Sequence, residues 1–113
     1  MRSQYKKGVL ELCVLSSLYQ CDRYGYDIAK HLSQHIEVTN GTVYQVLRRL
    51  MDSGLITTNL SEESGGHLRK YYSITGTGSM AYQQQKQEWL VFVETIDKLL
   101  SAADHNEQGN SSE

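Results

Sequence analysis

Residues 41–50, Gly-Thr-Val-Tyr-Gln-Val-Leu-Arg-Arg-Leu, restrict the fold more than any other stretch of the chain. Their aliphatic side chains recur at the i, i+3, i+4, i+7 spacing of a helix with one buried stripe. This apolar stripe consists of Val43, Val46, Leu47 and Leu50. The other face carries hydroxyls, an amide and two guanidinium groups: Thr42, Tyr44, Gln45, Arg48 and Arg49. With Thr39 as N-cap and Ser53-Gly54 as the C-terminal end, the pattern predicts a short helix over 41–52. One face of this helix is apolar and buried, and the opposite face is basic and exposed.

The charge distribution favours a polyanionic partner more than the net charge of −2 indicates. Residues 1–75 hold nine Lys or Arg against seven Asp or Glu, whereas residues 76–113 hold two against six. The acidic groups are therefore concentrated in the C-terminal part. Local patches decide whether nucleic acid can dock, so the composition does not exclude a DNA-binding protein.

Two further helical patterns precede the basic one. Residues 5–20 carry apolar or small groups around more than half of a helix, so we expect a second subunit to help cover it. A turn at 21–23 leads to a second helix over about 25–35, with Ile28, Ala29, Leu32 and then Ile36 facing inward. A short connection at 36–39 then leads into the basic helix. This order predicts a helix-turn-helix.

A β-hairpin is predicted after the basic helix. The strand-like runs 55–60 and 68–74 flank the polar, glycine-bearing segment 61–66. A hairpin at this position is a wing, and its basic residues Arg69 and Lys70 can reach the DNA backbone.

A long helix over about 76–103, capped by Thr75, is predicted at the C-terminal end. Its apolar stripe is too large for so small a domain to cover, which favours a dimerisation helix. The stripe residues include Trp89, Phe92, Val93, Ile96 and Leu100. The same residues could instead line a pocket for a small aromatic effector between subunits. Residues 104–113 are predicted to be a disordered polar tail.

Eleven residues are predicted to contact DNA. Neighbours on a helix point about 100° apart, so only one of the two adjacent arginines can face the groove; Arg48 is the better placed, because it shares a face with Tyr44. Tyr44 either donates to a phosphate or packs half-buried. The full set is Lys6, Lys7, Thr39, Asn40, Thr42, Tyr44, Gln45, Arg48, Arg49, Arg69 and Lys70.

Other kinds of site have weaker support in the sequence. His31 and His35 have the spacing of metal ligands, but no third ligand is evident, so no metal site is predicted. Cys13 and Cys21 are expected to be small buried hydrophobic residues. No nucleophile–base pair, carboxylate pair or phosphate-binding loop appears, so we expect neither catalysis nor a cofactor. With no signal peptide and no long apolar run, we expect a soluble cytoplasmic protein without a membrane partner.

The order of motifs resembles the PadR family of bacterial transcriptional regulators, in its shorter branch with one C-terminal helix. The residues that carry the resemblance are Lys7-Gly8-Val9-Leu10-Glu11, Tyr24-Gly25-Tyr26-Asp27-Ile28, Gly41-Thr42-Val43-Tyr44, Leu47-Arg48-Arg49-Leu50, Ser53-Gly54-Leu55-Ile56, Arg69-Lys70-Tyr71-Tyr72-Ser73-Ile74-Thr75 and Gly78.

The resemblance implies a mainly α winged helix-turn-helix at 1–75 and a dimerisation helix at 76–103. It also implies a homodimeric repressor that binds a palindromic double-stranded DNA operator and is released by a small-molecule effector or another signal. Two alternatives remain at this point. One is a winged-helix module that binds proteins and not DNA, and the other is a metal or ligand sensor built on His31, His35 and the Trp89 stripe.

Overall fold

The computed structural model describes residues 6–62, 65–66 and 68–111, with side chains described over 8–62, 65–66 and 68–105. Within these ranges helices predominate, and one small antiparallel sheet accompanies them. The elements are α1 (Lys6–Gln20), β1 (Arg23–Tyr24), α2 (Gly25–Ser33), α3 (Asn40–Asp52), β2 (Ile56–Glu62), β3 (Leu68–Ile74) and α4 (Gly76–Ser111). The predicted fold class, a mainly α winged helix-turn-helix with a hairpin and a long last helix, is confirmed.

The first three helices and one residue each from β2 and β3 form the hydrophobic core. Its members are Val14, Leu15, Leu18, Ile28, Ala29, Leu32, Val43, Val46, Leu47, Leu50, Ile56 and Tyr72. The inward residues predicted on α2 and α3 are among them, except Ile36, which was also predicted to face inward but is only half-buried and lies beyond the end of α2. Each fully buried aliphatic side chain contributes about 1.5–3 kcal/mol relative to exposure, so the four from α3 hold that helix firmly.

Both ends of α3 have the predicted caps. The Thr39 side chain accepts a hydrogen bond from the Thr42 backbone N–H at 3.2 Å. At the other end Gly54 has φ of +75°, and the Leu55 N–H bonds the Leu50 carbonyl at 3.0 Å. This is a Schellman ending, which needs a residue in the left-handed region and therefore favours glycine.

The sheet has one strand more than predicted. β2 and β3 pair from Ile56↔Ile74 to Glu62↔Leu68, which confirms the hairpin. The correction is β1, which pairs with the other edge of β3 through Arg23↔Tyr72 and Tyr24↔Tyr71. Residue 23 was predicted to lie in a turn, because a strand of two residues has no periodicity to recognise. β1 ties the start of α2 to the hairpin.

Helix α4 begins at a closely packed junction. The predicted cap is present, since the Thr75 hydroxyl accepts from the Gly78 N–H at 2.9 Å. The same hydroxyl lies 2.9 Å from the Gly54 carbonyl oxygen, to which it donates. Gly78 is buried, and a Cβ there would overlap the Leu55 carbonyl oxygen and lie 2.8 Å from Ile74 Cγ1. Only glycine at position 78 allows the first turn of α4 to approach the backbone of Leu55 this closely.

The far end of α4 requires a correction. The helix continues to Ser111, so the segment predicted to be disordered from residue 104 is helical through 111, and residues 112–113 lie outside the described ones. Residues 104–108 contain neither glycine nor proline, and extending an existing helix costs little.

The residues form two compact units, Met1–Gln83 and Gln84–Glu113. The first two turns of α4 therefore belong to the first unit. The functional division at residues 75 and 103 stays a prediction.

The two cysteines differ in environment. Cys13 is half-buried against the core, and burial raises the pKa of its thiol. Cys21 is exposed, which corrects the prediction of two buried residues, because it follows the last residue of α1 and lies outside the core. No described helix is long and apolar enough to cross a membrane.

We expect Gly78→Ala to lower the free energy of unfolding by about 2 kcal/mol, because its methyl group would overlap the Leu55 carbonyl. Gly76→Ala is the matched control in the same helical turn, where a Cβ meets nothing within 4 Å. Thermal unfolding followed by circular dichroism measures both. Equal melting temperatures for the two variants would contradict the close packing at Gly78.

The thiols are expected to react with iodoacetamide at different rates at neutral pH. Cys21 is exposed and should be modified first, whereas burial and the raised pKa of Cys13 should slow its reaction. Mass spectrometry of peptides from timed samples measures both rates, and the two should converge in denaturant. Equal rates in the folded protein would contradict the burial of Cys13.

Candidate nucleic-acid interface

The two faces of α3 have very different exposure. Val43, Val46, Leu47 and Leu50 are each 1% exposed. On the other face Asn40, Gln45 and Arg48 are exposed, and Tyr44 is 43% exposed. The core thus fixes α3 and leaves the side-chain amides of Asn40 and Gln45 and the guanidinium of Arg48 in solvent. These groups have the donors and acceptors that read base edges in a major groove.

Two of the predicted contact residues belong to the helix cap. Besides accepting from the Thr42 N–H, the Thr39 hydroxyl donates to the Thr42 hydroxyl oxygen at 3.0 Å. Thr39 is exposed and Thr42 half-buried. Their first function is therefore to order the start of α3, from which Asn40 projects.

The adjacent arginines of α3 have separate environments. Arg48 is exposed. Arg49 forms an ion pair with Glu11 of α1, with Nε and the carboxylate oxygen 3.2 Å apart and side chains 36% and 28% exposed. Sequence reasoning missed this partner, because Glu11 lies 38 residues away along the chain. Arg49 thus fastens α3 to α1, and Arg48 is the arginine directed to solvent.

The wing is fixed to the helix-turn-helix by Tyr24. Its ring packs edge-on against Tyr71, with centroids 4.8 Å apart, and its hydroxyl lies 3.4 Å from that of Ser61. The Arg69 guanidinium lies over the same ring at 4.2 Å from its centroid. Stacking of this kind orders an arginine without removing its charge. Tyr24 was not among the predicted functional residues.

An open depression of about 270 Å³ lies between α2, α3 and β3. It brings together three of the predicted residues, Tyr44, Arg69 and Lys70, with four others: Tyr24, Gly25, Tyr26 and Tyr72. Asn40, Gln45 and Arg48 do not line it. The side chains of Lys6 and Lys7 lie outside the described residues, although α1 begins at Lys6.

Close packing at Gly25 holds the Tyr44 ring in this depression. A Cβ on Gly25 would lie 2.8 Å from Tyr44 Cε1 and 3.1 Å from its hydroxyl oxygen. The Tyr44 hydroxyl therefore lies above the start of α2. Tyr72 is buried beneath, and burial first, then the neighbouring Tyr44, raises the pKa of its phenol. Its hydroxyl keeps its proton at neutral pH.

The second unit carries the predicted apolar stripe. Trp89 is 39% exposed and its ring centroid lies 6.0 Å from that of Phe92, which is 55% exposed. Leu99 and Leu100 are 63% and 60% exposed, while Val93 and Ile96 are half-buried. Large apolar groups in solvent along one helical stripe are typical of a surface that binds protein or ligand.

The histidine pair does not gain a metal-ligand set from the fold. α2 ends at Ser33, two residues before the predicted end, and the chain turns through the bond from the His35 N–H to the Leu32 carbonyl. The rings of His31 and His35 lie 5.3 Å apart. Burial, then Arg23, then His35 lower the pKa of His31. Among the described residues no three His, Cys, Asp or Glu side chains are grouped to hold a metal.

Comparison with known proteins identifies the family. The profile of the "Transcriptional regulator PadR-like family" matches residues 14–84, more than half of the chain. A PadR-like transcriptional regulator from Bacillus cereus shares 38% identity over 87% of this chain and 97% of that one, with a TM-score of 0.78. A PadR family transcription regulator from Clostridium difficile R20291 shares 34% identity over 80% and 97%, with a TM-score of 0.74.

An uncharacterized protein of Lysinibacillus sphaericus is 32% identical over 86% of this chain and 93% of its own length. The matched region runs from the second half of α1 through the wing to the start of α4 and includes every core residue and every residue that lines the depression. The resemblance seen in the sequence motifs is thereby confirmed, and the chain belongs to the PadR-like family of transcriptional regulators.

Proposed function

We propose that this chain is a homodimeric repressor that inserts α3 into the major groove of a palindromic operator. The main support for this proposal is that one face of α3 is apolar and buried while the opposite face is polar and exposed. Four aliphatic side chains at 1% exposure immobilise the helix, and Asn40, Gln45 and Arg48 project from it into solvent. A rigid helix with free polar side chains is what direct base readout requires.

The chemistry of these side chains suits base edges. A helix with its side chains is about 10–12 Å wide, close to the roughly 12 Å width of the major groove. Asparagine and glutamine pair well with adenine, and arginine forms two parallel hydrogen bonds with guanine. We therefore assign base contacts to Asn40, Gln45 and Arg48, and assign Arg49 chiefly to the packing of α3 on α1 through Glu11.

The wing supplies the cations that a DNA backbone would meet. Lys70 is exposed and Arg69 is ordered over Tyr24. Lys6 and Lys7 at the start of α1 are assigned the same role from the sequence pattern. Because the acidic excess lies in residues 76–113, the net charge of −2 does not oppose docking of the first unit.

A second copy of the chain is the partner proposed for the apolar stripe on residues 89–100. Seven of its large apolar residues lie on or beside one helical stripe: Trp89, Leu90, Phe92, Val93, Ile96, Leu99 and Leu100. A two-fold dimer would present two copies of α3 to half-sites about 34 Å apart, or a multiple of that spacing. By analogy with the family, we also propose that the bound dimer represses transcription and that a small aromatic effector bound near Trp89 releases it from DNA.

Arg48→Ala is expected to weaken binding of the protein's own promoter fragment by roughly tenfold or more, because a bidentate arginine–base contact is lost. Arg49→Ala is the matched control on the neighbouring residue and should keep most of the affinity. It should instead lose about 0.5 kcal/mol of stability with the Glu11 ion pair. Fluorescence anisotropy and thermal unfolding measure the two effects.

Wild-type affinity should also fall steeply as salt rises, because phosphate contacts release counterions. Equal affinity of the two variants would contradict the role of Arg48. Failure of the wild-type protein to bind either its promoter or random duplex DNA at low salt would favour the protein-interaction alternative.

Phe92→Glu is expected to shift the protein from dimer to monomer, because a carboxylate would be buried in the proposed apolar interface. Val91→Glu is the matched control, since Val91 lies about 100° further around the same helix and away from the stripe centre. Sedimentation equilibrium gives the molecular mass of each variant. A monomeric wild-type protein, or a Phe92→Glu variant that dimerises normally, would overturn the proposed interface.

A further inference from the structure

Gly41 occupies an exposed position inside α3 where the described part of the chain gives no reason for glycine. It is not the N-cap, because the Thr39 side chain has that role. Its φ is not positive, since the positive-φ glycines of the described residues are Gly54, Gly65 and Gly66. Beyond its two neighbours and the backbone of its own helix, a Cβ on Gly41 would meet no described atom closer than the Thr39 hydroxyl oxygen at 4.0 Å. Neither backbone conformation nor packing therefore requires a glycine here.

A glycine inside a helix weakens that helix unless something compensates. Glycine loses more backbone freedom on folding than any other residue, so alanine is the more stable choice at an exposed helical position. Gly78 has a compensating contact, because only glycine there allows the close approach to the Leu55 carbonyl oxygen. Gly41 has none. Positions that break a local rule without a gain in packing are expected at functional sites.

Gly41 lies at the centre of the face of α3 that points away from the core. Gln45 and Arg48 follow it by four and seven residues, which places them within about 40° of it around the helix axis. The buried stripe of α3 lies on the opposite side of the axis. The missing side chain thus lies in line with the two residues assigned to base contacts, at the turn where α3 begins.

The other end of the same line carries a carboxylate. Asp52, the last residue of α3, is exposed and follows Arg48 by four residues. An acid at this place opposes the negative end of the helix dipole and would be repelled by DNA phosphates. Close approach of DNA is therefore opposed at the Asp52 end of α3 and unobstructed at the Gly41 end.

We propose that Gly41 is a positioning residue that sets how deeply α3 enters the major groove. Hydrogen bonds from Gln45 and Arg48 to base edges need donor–acceptor distances of about 2.7–3.2 Å, and a methyl group on the contact surface would hold the helix away by about 1 Å or more. Attraction to phosphates acts over a longer range and would largely survive that displacement. This inference rests on the proposed function and adds to it a residue that acts through Gln45 and Arg48.

Gly41→Ala and Gly41→Leu test the proposal, because both introduce better helix formers at an exposed position. Each variant should melt at the wild-type temperature or a few degrees above it. The ratio of affinity for the promoter fragment to affinity for random duplex DNA should fall about tenfold with alanine and further with leucine. The salt dependence of binding to random duplex should stay unchanged, since no charge is altered.

Gly76→Ala is the matched control, because Gly76 is an exposed glycine in the first turn of another helix and a Cβ there meets nothing within 4 Å. It should leave the affinity ratio unchanged. A lower melting temperature for Gly41→Ala would show that the fold itself requires this glycine and would overturn the inference. A wild-type ratio in both Gly41 variants, or an equal fall in Gly76→Ala, would overturn it and leave the proposed function standing. A wild-type protein that binds neither DNA, or both equally, would overturn the proposed base readout as well.

Discussion

The burial of Val43, Val46, Leu47 and Leu50 against α1 and α2 is the constraint on which the rest of the first unit depends. It fixes the position and rotation of α3 in the core. Rotation about the helix axis decides which residues reach solvent, so burial of one face selects Asn40, Gln45 and Arg48 for the other. A polar substitution in the buried stripe would therefore damage stability and the candidate interface together.

Short-range contacts then attach the wing to this fixed helix. β1 pairs with β3, and Tyr24 contacts Tyr71, Ser61 and Arg69 within a few ångströms. Tyr44 lies over Gly25 at the start of α2. Aromatic rings thus occupy the places where α2, α3 and the sheet meet. The depression follows from this arrangement and does not require a separate domain or a bound group to form it.

The features that could be predicted from the sequence are those that depend on the local residue pattern. The stripe of α3, its Thr39 cap, its Gly54 ending and the strand at 68–74 were all visible, because each depends on neighbours within a few residues. β1 was missed because two residues carry no period, and α4 was ended too early because polar composition does not stop a helix. Cys21 was taken as buried although the helix ends before it.

The candidate site was less predictable than the fold, because part of it depends on contacts between residues far apart in the sequence. Thr39, Arg48 and Lys70 are exposed as their local pattern predicted, Thr39 as the N-cap of α3 and the other two on α3 and β3. The Glu11–Arg49 pair and the placement of Tyr26 and Tyr44 around one depression depend on how distant segments pack. Spacing along one helix could favour Arg48 over Arg49, but it could not identify the acid that binds Arg49.

That acid has a consequence for discrimination between sequences. An unpaired guanidinium beside a groove attracts every phosphate, so it strengthens binding to all DNA alike. In the proposed DNA complex, the ion pair between Glu11 and Arg49 would limit this indiscriminate attraction and leave Arg48 as the arginine proposed to read the base. Loss of the Glu11 carboxylate would then raise the affinity for nonspecific genomic DNA more than the affinity for a cognate site. The ratio of specific to nonspecific binding would fall, and more of the protein would occupy nonspecific sites.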